Sequence, residues 1–577
     1  MRASSINLVV NMTRIIEVEK LFFKYPRMWQ WVLENVTFSV QTGECLGILG
    51  ENGSGKTTLL YHLNGIIPNV IEGNGEGIVK VLGKVVRDQA VFEVSEKVGT
   101  MLQDPEAQML GSTVYTQCAS HISNLGSARE EIERKVDQSL VTVGLFKYQR
   151  KNPKMLSYGE MQKLSLATSL SISPQLLLLD EPFSNIDAKS GEEIISLLEE
   201  LKQQKGMAII IATQESKYIR KIADKILVLK DGKISHFGKP RAVFKQLLKE
   251  KSRLEIPRIS ILIDRLDLEE KIVDSKFPIT VEEGYNLISA KVKKDEFRTK
   301  IYKESENESP ILSLKNVAYS YPDGTAALRD ISFDIYPSEL LGIVGNNGAG
   351  KTTLVYLLLK LLAPYKGSIV YNTTELQNYP NDRLYDEVGL VLQHPEHQLL
   401  GKSVEEEVEE VLRNRSYSEE EIIDRIEESL DVVNLKGKRT VFSEKLSYGE
   451  KKKLSIATVI ATSPKIIMLD EPSTGIDYRS RVEIAKALNK LKQSGCAVVV
   501  ITHDMEYVSE YADNIVVLRD GAVSKKGLPV EVFEDTKVLE EARLKVPELA
   551  QLGNLLNIHF SSYTLQEVAE TLRGKMK

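Results

Sequence analysis

Cysteine is nearly missing from this chain: 577 residues hold only Cys45, Cys118 and Cys496. They lie far apart and form no CxxC pair, which fits a reducing compartment better than a secreted disulfide framework. Long apolar runs are missing as well. None approaches the roughly 20 residues that cross a bilayer, so any work at a membrane must go through a partner. "NLVV" near the start is too short for a signal-peptide core. Met12 opens "MTRIIEVEKLFFKYP", and the first eleven residues read as a mis-assigned start or a loose tail. An excess of positive charge is the third absence. Lys and Arg total 75 against 81 Asp and Glu, a net charge of −6, which argues against nucleic-acid binding through general basicity. There is no long, strongly basic helical arm between domains, and no cysteine cluster for an iron–sulfur domain.

What the chain has is a repeat. "GENGSGKTTLLYHLNGI" (50–66) returns as "GNNGAGKTTLVYLLLKL" (345–361). "MLQDPEAQMLG" (101–111) returns as "VLQHPEHQLLG" (391–401), and "MLSYGEMQKLSLATSLSISPQLLLLDEP" (155–182) as "KLSYGEKKKLSIATVIATSPKIIMLDEP" (445–472). The tails repeat too: "RLEIP" and "ITVEE" match "RLKVP" and "YTLQE". A period near half the chain is too long for a solenoid and marks a duplicated globular domain. The expected division is 13–250 for a first domain, 251–302 for its appendage and linker, 309–540 for a second domain, and 541–577 for its appendage. The polar stretch "KESENESP" (303–310) is the expected seam.

Each copy reads as α/β. "ECLGILG" leads through a Gly-rich turn into the helical spacing of "KTTLLYHLNGI". "QLLLLD" and "AIIIAT" are continuous apolar runs, the pattern of strands buried on both faces of a parallel sheet. The charge-rich 403–433 segment reads as amphipathic helices with solvated faces.

Gly50, Gly55, Lys56 and Thr57 fit G-x-x-x-x-G-K-[ST], as do Gly345, Gly350, Lys351 and Thr352. Such a loop turns backbone N–H groups toward a polyphosphate at a helix N-terminus. Asn52, Gly53 and Thr58, and Asn347, Gly348 and Thr353, complete the two loops. The lysines reach the outer phosphates and the first threonines offer a hydroxyl to Mg²⁺. Asp180–Glu181 and Asp470–Glu471 end later strands. The aspartates are candidate Mg²⁺ ligands, and the glutamates candidate bases for the attacking water. Gln103 and Gln393 follow another short apolar run, where an amide can contact metal and water; surface decoration is the competing reading for such a residue.

In this order these residues resemble the ATP-binding-cassette (ABC) ATPases over nearly all of both halves. "LSYGE" at 156–160 and 446–450 is similar to that family's signature, with Tyr158 and Tyr448 where the commonest form has glycine. The resemblance implies an α/β fold of two P-loop NTPase domains, each with a helical subdomain and a small C-terminal appendage. It also implies ATP and Mg²⁺ as cofactors and head-to-tail pairing of the halves within one chain. Ser447 and Gly449 would then complete the site of Lys56, Gln103, Asp180 and Glu181. Ser157 and Gly159 would complete that of Lys351, Gln393, Asp470 and Glu471. Tyr25 and Tyr321 match the family's adenine-stacking aromatic, with a core role as the competing reading. After the last of these strands "AIIIATQES" carries Gln214 where "VVVITHDME" carries His503. In the family this histidine contacts the γ-phosphate and the attacking water. Glutamine donates a hydrogen bond but carries no charge, so the expectation is a slower first site that still binds ATP; a Gln214 that substitutes well enough for both sites to turn over is the competing reading.

"DPEAQMLG" and "HPEHQLLG" resemble the P-x-x-Q segment of energy-coupling-factor ATPases, and the tails resemble that group's extensions. The implied role is the motor of a vitamin or transition-metal-ion importer, peripheral on the cytoplasmic side of the membrane. Its implied partners are a membrane scaffold protein and a separate substrate-binding membrane protein, with no nucleic acid. A soluble tandem cassette acting on ribosomes, and the ATPase of an ordinary ABC transporter, are the alternatives.

Overall fold

Parallel strands buried on both faces require apolar side chains at every position, and the runs of the sequence analysis meet that requirement. Leu176–Asp180 and Ala208–Thr213 are buried throughout. The computed structural model describes residues 14–576 apart from 185, 270–271, 293–308 and 416. Residues 1–11 and most of the 303–310 seam therefore lie outside the described residues. The chain divides into two compact units: one runs to Ile186 and resumes over Ser190–Leu247, and the other comprises Asp187–Lys189 and Leu248–Lys577.

In the first unit a six-stranded sheet has the order Lys233–Gly238, Lys225–Lys230, Cys45–Leu49, Ala208–Thr213, Leu176–Asp180, Val98–Met101. All neighbours are parallel except the pair at the Lys233–Gly238 edge. A four-stranded antiparallel sheet, centred on Arg14–Lys24 and Asn74–Val81, contributes Ile16, Val18 and Phe23 to the same core. The second unit repeats both sheets around Leu340–Val344, Ala497–Thr502 and Ile466–Asp470.

Register decides where chemistry can occur. Leu49 lies beside Thr213, and Asp180 beside Ala212. The Gly-rich loop, the Asp–Glu pair and Gln214 thus leave neighbouring strands at one edge. Val344 beside Thr502 and Asp470 beside Ile501 do the same in the second unit. Between strands lie the helices Val114–Asn124, Arg129–Thr142 and Tyr158–Leu170, and their counterparts Val404–Arg413, Glu419–Val432 and Tyr448–Ile460. Within 403–433, Val404, Val408, Ile422 and Ile426 are buried and the acidic residues mostly face out, as the amphipathic reading expects. Glu407 is the exception: it is buried and accepts hydrogen bonds from the Leu400 and Lys402 amides.

The appendage helices Arg258–Arg265 and Val281–Ser289 follow the first cassette in sequence. They pack against Glu548–Leu556 and Leu565–Lys575 of the second appendage. Ile259, Leu262, Ile288, Leu552, Val568 and Leu572 form one apolar core, and an antiparallel bridge joins Val292 to Met576.

Candidate functional site

Strand Cys45–Leu49 runs through the loop into helix Lys56–Leu63, and Leu340–Val344 into Lys351–Leu358. Glycine is obligatory just before each helix. Gly55 and Gly350 sit at φ 101° and 98°, where a β-carbon is strained, and one at Gly55 would lie 2.9 Å from the Val32 carbonyl. The Lys56 ammonium is buried and donates to the Gly50 and Glu51 carbonyls at 2.9 and 3.2 Å. Lys351 makes the equivalent bonds to Gly345 and Asn346 at 2.7 and 3.1 Å. The Tyr25 hydroxyl lies 3.0 Å from the Thr58 hydroxyl, and that of Tyr321 lies 2.9 Å from Thr353. Each tyrosine ring is therefore tied to its phosphate loop and stands edge-on to one aromatic neighbour, Phe23 or Tyr319.

The Thr57 hydroxyl donates to Asp180 Oδ2 at 2.7 Å. The other oxygen of Asp180 is buried without a hydrogen-bond partner, and burial raises its pKa. An orphaned carboxylate oxygen beside a threonine hydroxyl is a donor set that suits a hard cation such as Mg²⁺. Burial, with Glu471 nearby, likewise pushes Asp470 up to about 6. Gln103 is exposed and Gln393 half-buried; among the described residues no hydrogen bond joins either side chain to the Asp–Glu pairs. Asn52 and Thr57 are half-buried, whereas Gly53, Asn347, Gly348 and Thr352 are exposed on their loops.

The two glutamates share a backbone strain and differ in company. Glu181 and Glu471 have φ 46° and 47°, a left-handed conformation uncommon for residues other than glycine. One oxygen of each accepts from a strand-ending threonine, Thr213 at 2.9 Å and Thr502 at 2.8 Å. Each also accepts from the next backbone amide, Glu181 from Gln214 at 3.3 Å and Glu471 from His503, and beyond that they diverge. Glu471 Oε1 accepts from the His503 amide at 3.2 Å and from its ring Nδ1 at 2.8 Å. Burial opposes charge on both partners, but each one's charge and hydrogen bond win on the other: Glu471 is held below the usual carboxylate range and His503 above 6.5. Among the described residues Glu181 has Lys56, at 3.5 Å, facing its other oxygen. Burial dominates there and pushes its pKa up to about 7. The Gln214 side-chain oxygen is itself buried without a hydrogen-bond partner.

Ser157 and Ser447 are exposed N-caps of Tyr158–Leu170 and Tyr448–Ile460, with Glu160 and Glu450 closing capping boxes. The S-x-x-E of the signature thus has a local structural purpose. A β-carbon on Gly449 would come 2.6 Å from the Ser480 hydroxyl, and one on Gly159 would come 3.1 Å from Ser190, so packing also demands these glycines.

Residues 33–184 and 328–474 match the family model described as ABC transporter. The chain belongs to that family. An ABC transporter ATP-binding protein of Caldanaerobacter subterraneus subsp. tengcongensis is 32% identical over 559 residues, 95% of this chain and 97% of that protein. One of Bacillus cereus is 32% identical over 544 residues, 94% and 95% of the two chains. A solved structure of cbiO1 from Clostridium perfringens, described as part of the ABC transporter complex cbiONQ, is 32% identical. It covers 43% of this chain and all of that one, with a TM-score of 0.39. This is a tandem ABC ATPase: its cassettes bind and hydrolyse ATP as the ATP-binding subunit of an ABC transporter. Among the described residues no helix is long and apolar enough to cross a membrane.

Several cassette residues escaped the sequence reading. Thr213 and Thr502 hold the glutamates; their signal was the repeated threonine just before Gln214 and His503. Lys452 is fully buried inside the signature helix and donates to the carbonyls of Leu392 and Gln393 at 2.9 and 2.7 Å, with Asp470 at 3.4 Å. Burial lowers its pKa to about 8. The Tyr448 hydroxyl donates to the same Gln393 carbonyl at 3.3 Å. In the first cassette Gln162 occupies the place of Lys452, fully buried with both amide atoms unpartnered.

Proposed function

We propose that this chain is the motor of an importer of the energy-coupling-factor type, taking up a vitamin or a transition-metal ion. It works peripherally on the cytoplasmic side of the cell membrane, through a scaffold protein and a separate substrate-binding membrane protein. The observation that carries this reading is a pair of exposed leucines. Leu110 is 89% and Leu400 68% exposed, each just after a P-x-x-Q segment. Their loops are held firmly. Gln108 donates to the Leu102 carbonyl, and Gln117 accepts from the Leu110 and Gly111 amides. Gln398 accepts from the Leu392 amide and bonds Ser455 in the signature helix. An apolar side chain presented on a braced loop beside Gln103 or Gln393 suits a helix of a membrane partner.

Within each cassette Tyr25 or Tyr321 stacks on adenine, and the loop amides with Lys56 or Lys351 bind the phosphates. Thr57, Gln103 and Asp180, and Thr352, Gln393 and Asp470, would hold Mg²⁺, which neutralises phosphate charge when bound. Glu471 takes a proton from the attacking water, and His503 donates toward the γ-phosphate. At the first cassette Glu181 and Gln214 do this more slowly, since one lost transition-state donor costs on the order of 10²–10³ in rate.

The test is to tag the protein in its native cells, extract membranes in mild detergent and identify what co-purifies. A small polytopic scaffold with a compact substrate-binding membrane protein is expected, and Leu110→Asp with Leu400→Asp should lose both while the purified protein keeps its ATPase activity. Recovery with ribosomes, or only from the soluble fraction, would overturn the importer reading and leave the ATPase intact.

A further inference from the structure

Arg258 opens the first helix of the first cassette's appendage, yet its charge is spent on the second cassette's catalytic machinery. Its guanidinium is nearly buried and forms ion pairs with Glu506 at 3.0 Å and Glu510 at 2.5 Å. Both carboxylates belong to helix Met505–Tyr511, which begins two residues after His503. Glu506 also accepts from the Glu548 amide at 2.7 Å, and the Glu548 carboxylate accepts from the Ile259 amide at 3.4 Å. Both appendages therefore converge on one residue of this helix. The other face of the helix puts Met505 and Val508 into the apolar core that contains Ile259, Leu262 and Leu552. Asp504 caps its first turn through the Tyr507 amide and pairs with Arg481 at 3.2 Å.

The repeat shows that these charges are particular to one cassette. The matching helix of the first half, Ser216–Ile222, carries Lys217 and Lys221 where the second has Glu506 and Glu510. It begins after Glu215, whose side chain makes no capping hydrogen bond. The second appendage has Glu548 where the first has Arg258. Arg258 thus has its acidic receptor on the second cassette and would meet like charge on the helix of the first.

We propose that Arg258 is a positioning residue for ATP hydrolysis at the second cassette: by clamping helix Met505–Tyr511 it fixes where His503 stands against Glu471. The proposal rests on the reading of His503 as a group acting on the γ-phosphate. A buried charge pair attached to a helix start is a stiff link, and misplacing a catalytic group by about 1 Å can cost on the order of 100-fold.

The experiment uses the full chain carrying Glu181→Gln, so that the second cassette supplies the turnover. Arg258→Glu is expected to lower kcat on the order of 10-fold with little change in KM for ATP or in binding of a fluorescent ATP analogue. Glu506→Lys with Glu510→Lys should do the same. Combining the three reversals should restore most of kcat, and Arg258→Lys should retain part of it. If Arg258→Glu does not fold, Arg258→Lys and the triple reversal still decide. An unchanged kcat in folded Arg258→Glu, or a triple variant no better than its parents, overturns the proposal. His503→Ala in the same background separates the two claims. A lowered rate there with an unmoved Arg258→Glu removes only the positioning role. A rate unmoved by His503→Ala removes the reading of His503, and with it the route assigned to Arg258.

Discussion

Glu181 and Glu471 occupy matching strand ends with the same left-handed backbone, and one neighbouring residue separates their electrostatics. With His503 beside it Glu471 stays ionised below the usual carboxylate range; with Gln214 nearby and burial dominant, Glu181 titrates at about 7. A general base must be unprotonated to work. Turnover at the first cassette should therefore fall as pH is lowered through about 7, while the second cassette holds its rate further into acid. On the alkaline side His503, raised above its ordinary value, keeps its proton for longer than a free imidazole. Rate–pH profiles of Glu471→Gln, which leaves the first cassette, and Glu181→Gln, which leaves the second, should show the ratio of first to second rising between about pH 6 and pH 8. A constant ratio would refute the difference in charge state. Gln214→His should raise first-cassette turnover by supplying the missing donor and holding Glu181 ionised; an unchanged or lower rate in the Glu471→Gln background would show that chemistry there is not limiting.

At the scale of elements, the signature helix does more than its sequence suggested. Lys452 and Tyr448 fasten its first turns to the Gln393 backbone, and Lys452 also reaches the Asp470 carbonyl. The loop that would feel a membrane partner is thereby joined to the strand end that bears Asp470 and Glu471. Lys452→Met should leave these buried carbonyls unsatisfied and destabilise the protein by about 1–3 kcal/mol, read as a lowered thermal midpoint; an unchanged midpoint would mean that water replaces the ammonium. In the first cassette Gln162, buried with both amide atoms unpartnered, does not make the bonds of Lys452. Much of this level was legible in the sequence. Continuous apolar runs marked the parallel strands, glycines marked the loop, and exact repetition marked the Asp–Glu pairs. Lys452 was not, because a lysine in "EKKKLS" carries the signal of a solvated helix face and only tertiary packing shows it inside. Arg258 was hidden for a similar reason. Its partners lie some 250 residues away in sequence, beyond any local pattern.

At the scale of the whole molecule, duplication followed by divergence gives one chain two cassettes with different equipment. Fusion keeps one of each together, so a histidine, a buried lysine and an acidic helix can be kept on one side only. The repeat and both Gly-rich loops were visible from sequence, as was the His503–Gln214 difference. The packing of helices Arg258–Arg265 and Val281–Ser289 into a common core with the second appendage was not, since short amphipathic helices do not name their partner. The most direct measurement is ATP turnover of the full chain with Glu181→Gln and with Glu471→Gln, compared at saturating ATP. Unequal cassettes require Glu471→Gln to remove nearly all hydrolysis and Glu181→Gln to leave a substantial fraction. Equal losses from the two substitutions would contradict them.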